Sequence, residues 1–138
     1  MYVGAADNRL HALDAASGRQ RWSFHAQDDV DSSPAVADGV VYVGSLDNHL
    51  YAVDAATGDP LWSTKTGESV LAAPAIANGV AYVGSADDRV YAFDAASGDE
   101  LWQYATGADI LDGSAVTDGV LYVPSFDDRV YAFHLPGS

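Results

Sequence analysis

Residues 82–102 read YVGSADDRVYAFDAASGDELW, and the chain carries this stretch nearly whole three times. It stands as YVGAADNRLHALDAASGRQRW at 2–22 and as YVGSLDNHLYAVDAATGDPLW at 42–62, and a fourth copy opens at Tyr122. Tyr2, Tyr42, Tyr82 and Tyr122 follow one another at 40 residues, without insertion or deletion. Self-similarity at a period of this size marks a repeat architecture, in which each unit buries its apolar face only against its neighbours.

Each repeat divides into four short β-type runs. The first is 34–37, matched at 74–77 and 114–117. Asp38-Gly39, Asn78-Gly79 or Asp118-Gly119 follows it, pairs that favour positive φ at both central positions of a type I′ hairpin. The second run, 40–44, has equivalents at 80–84 and 120–123 and a trimmed copy in residues 1–4. A polar turn such as Asp47-Asn48-His49 leads into the third, 50–54, which alternates in the period of a half-buried strand. A longer turn ends at Gly58, suited to a left-handed position, and the fourth run is 60–66. Helical periodicity is absent, and Gly or Pro interrupts the pattern every ten residues or so.

Four antiparallel strands per repeat predict an all-β protein, a β-propeller of ~40-residue four-stranded blades around a channel. The expected organisation is a single propeller segment over 1–138, about three and a half blades: a partial blade 1–32, blades 33–72 and 73–112, and a partial blade 113–138. The first blade should lack its innermost strand and the last its outermost. The opening residues already lie inside the repeat, which suggests a segment of a longer protein.

Composition narrows the function classes. The chain has 138 residues, 49% of them hydrophobic, and no run approaches the ~20 apolar residues of a membrane span. Cysteine is absent, which excludes disulfides, thiolate metal sites and a cysteine nucleophile. Twenty Asp and Glu face six Lys and Arg, a formal charge of −14. That balance repels nucleic acid and anionic membranes, whose affinity for proteins comes mainly from Lys and Arg. An Asp-rich surface with Lys65 as its one lysine looks like that of a halophilic source. Removing salt should then destabilise the fold by unscreening self-repulsion.

The pattern Ala-x-Asp-x-x-x-Gly-x-x-x-Trp recurs as Ala12, Asp14, Gly18, Trp22; as Ala52, Asp54, Gly58, Trp62; and as Ala92, Asp94, Gly98, Trp102. It resembles the tryptophan-docking repeat of the quinoprotein-like (PQQ-like) propellers, and the likeness covers essentially the whole chain. The fourth copy departs from it, with His134 in place of the Asp. The resemblance implies that Trp22, Trp62 and Trp102 dock one blade against the next, as structural residues. It also implies rings commonly of eight blades, an extracytoplasmic location, and roles that divide in two. Some members bind pyrroloquinoline quinone and calcium and oxidise alcohols or sugars. Others are non-catalytic, similar to the propeller of the outer-membrane-protein assembly machinery.

For this chain the expected role is a non-catalytic scaffold for protein partners, without a cofactor or metal of its own. The alternatives are a silent portion of a PQQ-dependent dehydrogenase, or a segment that assembles a propeller and binds no ligand. Two copies head to tail would supply eight blades, so a homodimeric ring is expected. The least uniform segments join one blade to the next and gather Asp28, Asp29, Asp31, Glu68, Asp109 and Asp112 on one face. Such a face suits a cation or a basic peptide, though the D-x-D-x-D-G spacing of a calcium loop is absent. Arg9, His49, Arg89 and Arg129 occupy one turn position in successive blades, where a ring of cations would hold an anion. Each follows an acid or amide directly, so local pairing explains the column equally well. His11 and His134 replace residues of the other copies without forming a metal constellation, and no G-x-S-x-G elbow occurs.

Overall fold

The computed structural model of the protein describes residues 1–30, 32–70, 73–108, 110, 115–117, 119–125, 127 and 129–134. Asp31, Asp109 and Asp112 of the acidic face lie outside the described residues. The described residues form four antiparallel sheets and no helix.

The first sheet comprises β1 (Tyr2–Gly4), β2 (Arg9–Leu13) and β3 (Gln20–His25) in that order. The second runs β4 (Ala35–Ala37), β5 (Val40–Gly44), β6 (His49–Asp54) and β7 (Pro60–Lys65), again in chain order. The third repeats it with β8 (Ala75–Ala77), β9 (Val80–Gly84), β10 (Arg89–Asp94) and β11 (Glu100–Ala105). The fourth holds β12 (Ala115–Thr117), β13 (Val120–Ser125) and β14 (Arg129–His134). Among the described residues the two end sheets therefore have three strands, the first without an inner strand and the last without an outer one.

The turns form for the reasons their residues dictate. Asp38 and Gly39 have φ of 51° and 77°, and Asn78 and Gly79 have 50° and 76°, as an I′ hairpin requires. Gly58 and Gly98 adopt φ of 80° and 81°, a conformation with little penalty only for glycine. Each is preceded by an aspartate that caps the turn. Asp54 Oδ1 accepts the amides of Ala56 and Thr57, and Asp94 Oδ1 those of Ala96 and Ser97. Asp14 does the same for Ala16 and Ser17, and these amide bonds hold its carboxyl below the usual carboxylate range.

Sheets stack face to face, and a separate apolar cluster fills each gap. Leu10 and Val30 of the first sheet and its exit loop meet Val41, Val43, Tyr51 and Val53 of the second. Leu50 and Val70 meet Val83, Tyr91 and Phe93 of the third, and Val90 and Ile110 meet Leu121 and Val123 of the fourth. Within β6 and β10 four consecutive residues are buried, because both faces of an inner sheet are covered. Val30, Val70 and Ile110 cross over Gly4, Gly44 and Gly84, where any side chain would collide with them.

Candidate functional site

The residues singled out by the repeat gather at the two ends of each joint between sheets. At one end the indole N–H of Trp22 donates to Ala55 O of the second sheet at 3.0 Å, and Trp62 does the same to Ala95 O of the third at 3.0 Å. Tyr2 and Tyr42 hydroxyls donate to the same two carbonyls, each at 3.3 Å. A β-carbon added to Gly58 would lie 2.7 Å from the Trp22 ring, and one on Gly98 would lie 2.6 Å from Trp62. The Ala-x-x-Gly turn is thus a notch cut to the thickness of an indole. Trp102 packs against Phe133, with ring centroids 5.5 Å apart. Gly18, at φ 73°, has an open notch with nothing within 4 Å.

At the other end an aspartate ties three parts together. Asp87 Oδ2 accepts the Gly67 amide of the incoming loop at 3.0 Å and the hydroxyl of Tyr91. Asp127 repeats this with Gly107 at 3.0 Å and Tyr131 at 2.5 Å, and Asp47 with Gln27 at 3.1 Å and Tyr51. Ser45 and Ser85 hydroxyls, both fully buried, donate to loop carbonyls: Ser45 to Asp28 and Asp29, Ser85 to Glu68 and Ser69. Asp28, Asp29 and Glu68 are therefore held to the next sheet by their backbone, leaving their carboxylates at the rim. This latch escaped sequence reading. Its signal was the column Asp7, Asp47, Asp87, Asp127, followed four residues later by His11, Tyr51, Tyr91, Tyr131.

His11 belongs to that column. Its ring nitrogens lie 2.8 Å from Asp7 Oδ2 and 2.8 Å from Gln20 Oε1, so in the first sheet an Asp–His pair takes the place of Asp–Tyr. The bond to Gln20, and then that to Asp7, push the imidazole pKa up, while the bond to His11 holds the Asp7 carboxyl down. The contribution of His11 to stability is complete below its ordinary pKa and fades as pH rises through the raised one.

A larger alkaline effect comes from the tyrosines. Burial first, and the bond to Asp87 next, push the Tyr91 phenol up to about 12, and burial also leads the rise at Tyr51. A raised folded-state pKa means that the folded chain holds a proton the unfolded chain releases at ~10. Stability should be intact below pH ~10 and fall as pH climbs through the folded value. Denaturant midpoints measured at pH 9 and 11 check this, and Tyr91→Phe should shrink the drop.

The cation column sits at the starts of β2, β6, β10 and β14, at the latch end. Asp7, Asp87 and Asp127 accept the backbone N–H of Arg9, Arg89 and Arg129 through Oδ1. The guanidinium groups go elsewhere: Arg9 to Ser23 at 3.3 Å and Arg89 to Gln103 at 2.6 Å, across to the neighbouring strand. The Arg9 and Arg89 side chains thus pair with outer-strand polar groups, not with the preceding acids that local pairing led one to expect. His49 stays with Asp47, its Nδ1–H donating to the Asp47 main-chain oxygen at 2.9 Å. Between the second and third sheets a groove of about 460 Å³ is lined by Asp38, Tyr42, Asn78 and Asp94. Among the described residues no group of three His, Cys, Asp or Glu stands placed to hold a metal, and no helix is long and apolar enough to cross a membrane.

Comparison with known proteins agrees with this architecture. A crystal structure of BamB from Moraxella catarrhalis superposes with a TM-score of 0.85 at 26% identity, covering 97% of this chain and 42% of that one. The quinohemoprotein alcohol dehydrogenase ADHIIG from Pseudomonas putida HK5 gives 0.79 at 26% identity, over 89% of this chain and 26% of the other. The computationally designed Ika4 protein gives 0.87 at 20% identity, over 97% and 84%, a likeness of fold alone. The chain thus spans less than half the length of its BamB and dehydrogenase neighbours, and no curated protein matches it. A family model described as outer membrane protein assembly factor BamB matches residues 6–136. With its repeated four-stranded sheets and its match over nearly the full length, the chain belongs to this BamB-like family of PQQ-like propellers.

Proposed function

We propose that this chain is a non-catalytic scaffold that binds protein, and that two copies join head to tail in a ring of eight sheets. One observation carries the second half. The face that every internal joint buries is bare on the last sheet: Val130 is 67% exposed where Leu10, Leu50 and Val90 are 0%, and Tyr122 is 39% where Tyr42 is 4%. On the first sheet Val3 is 41% exposed where Val43 and Val83 are 0%. Apolar faces of this kind normally mark an interface, and these two are halves of a joint the chain already makes three times. A match to about two fifths of a BamB chain leaves room for a second copy in a ring of similar size.

The scaffold half rests on family membership and on the surface chemistry. The groove offers Asp38 and Asp94, and the Arg9 and Arg89 guanidiniums are engaged by Ser23 and Gln103. An anionic tricarboxylate quinone finds no cationic seat among these residues, so we read no redox step into the chain. The likeness to a quinohemoprotein dehydrogenase supports a second reading, in which the chain is one portion of such an enzyme. Adding PQQ with calcium separates the two: a shifted quinone absorbance or a raised melting temperature would favour the enzyme. By the same family analogy the chain works outside the cytoplasm, and its acidity points to a halophilic source.

Light scattering in high salt tests the ring. A mass of twice 14.4 kDa is expected, and a monodisperse single chain would remove the proposal.

A further inference from the structure

The groove between the second and third sheets lies at the notch end of their joint, away from the latch. Its walls come from two tight turns, 38–39 and 78–79, and from the start of the turn that Asp94 caps. Three oxygens stand in it with capacity to spare. Asp94 gives Oδ1 to the amides of Ala96 and Ser97, which leaves Oδ2. The Asp38 carboxylate meets no donor or cation among the described residues. Tyr42, 4% exposed, donates its hydroxyl to Ala95 O at 3.3 Å, and among the described residues no group donates to its oxygen. Burial first, then the charges of Asp38 and Asp94, push the Tyr42 phenol up, so both carboxylates lie near enough to act on it. The sequence makes this pairing at one joint and not at the next, where Asn78 and His134 hold the positions of Asp38 and Asp94.

We propose that the groove takes an arginine side chain of a protein partner, its guanidinium spread between Asp38, Asp94 and the Tyr42 oxygen. A guanidinium carries five donors in a flat fork and no acceptor, so it serves oxygens on different walls, where an ammonium is a compact point charge. The volume of about 460 Å³ falls within the ~300–1,000 Å³ typical of ligand sites. Val40 and Ala96 offer apolar wall to the aliphatic stem. The formal charge of −14 draws a cation in and turns an acidic segment away. This inference rests on the protein-binding reading and deepens it by naming the partner group that is recognised. Both sheets that form the groove have all four strands, so it needs neither the ring nor a second copy.

The peptide acetyl-Gly-Arg-Gly-amide serves as the probe, titrated into the isotopically labelled chain and followed by NMR. The amide signals of Gly79, Ala95 and Ala96 should shift saturably, and the same peptide with lysine should bind severalfold more weakly. Asp38→Asn should weaken binding about threefold to fivefold, the scale of one exposed ion pair. Asparagine already makes this turn at Asn78, with φ of 50°, so the variant keeps the fold. Asp59→Asn removes the same charge outside the groove and should leave binding unchanged. No saturable shift at these amides, equal binding of the lysine peptide, or equal weakening by the two variants would overturn the proposal. The quinone titration reports on the scaffold reading by itself, so failure of that reading and failure of the groove are told apart.

Discussion

Gly98→Ala should destabilise the chain far more than Gly18→Ala, although both glycines occupy the same place in the repeat. At φ of 81° and 73° both positions disfavour a β-carbon by ~1–2 kcal/mol. Gly98→Ala also drives a methyl to 2.6 Å from the Trp62 ring, while at Gly18 there is nothing within 4 Å. Forcing an extra methyl into a packed site costs about 1–3 kcal/mol. Gly98→Ala should therefore lose about 2–5 kcal/mol and Gly18→Ala only ~1–2. Trp62→Ala removes the other half of the contact, with its hydrogen bond to Ala95 O, and should lose about 3–5 kcal/mol. A domain with ~5–15 kcal/mol in hand is left marginal by such a loss. Denaturant midpoints at matched m-values are the measurement. Equal losses at Gly18 and Gly98 would mean that the indole–glycine contact contributes nothing.

The second large effect lies under the connecting loop. A methyl on Gly84 would sit 2.1 Å from Ile110 Cγ2 and 2.7 Å from its Cβ, with the nearest backbone atom at 3.5 Å. Nearly all of the clash is with one fully buried side chain. Gly84→Ala should lose about 1–3 kcal/mol by overpacking, and Ile110→Ala about 2–5 kcal/mol by leaving a cavity. Together they should lose less than the sum, since each relieves the other's defect. Gly44 makes the contrast: its methyl would meet Val70 O at 2.7 Å as well as the side chain, so trimming Val70 should rescue Gly44→Ala less well. Additive losses at 84 and 110 would show that the loop simply moves away.

Local features were legible because they depend on residues close in the chain. The Asp-Gly and Asn-Gly pairs demanded positive φ, and Asp38, Gly39, Asn78 and Gly79 have it. Alternation and the invariant 40-residue spacing marked the strands, and the described strands fall on those runs. The docking pattern pointed to Trp22 and Trp62, and both reach the next sheet. The latch was not legible, since the bond from Ser85 to Glu68 O and that from Gly67 to Asp87 join segments about half a repeat apart. Nor were the Arg9 and Arg89 partners, which sit across a strand pair whose register only the sheet defines.

The sequence by itself determined what one repeat does: four strands, their turns, and an apolar residue at each alternate position. It could not determine how wet each position is. Residues 89–93 and 129–133 are the same five residues in the same kind of strand, yet Val90 is 0% exposed and Val130 67%. Strand formation is set by neighbours along the chain, whereas burial is set by what stacks on the sheet. Only the tertiary arrangement decides which sheets have a neighbour on both sides, and so which surfaces are left to bind.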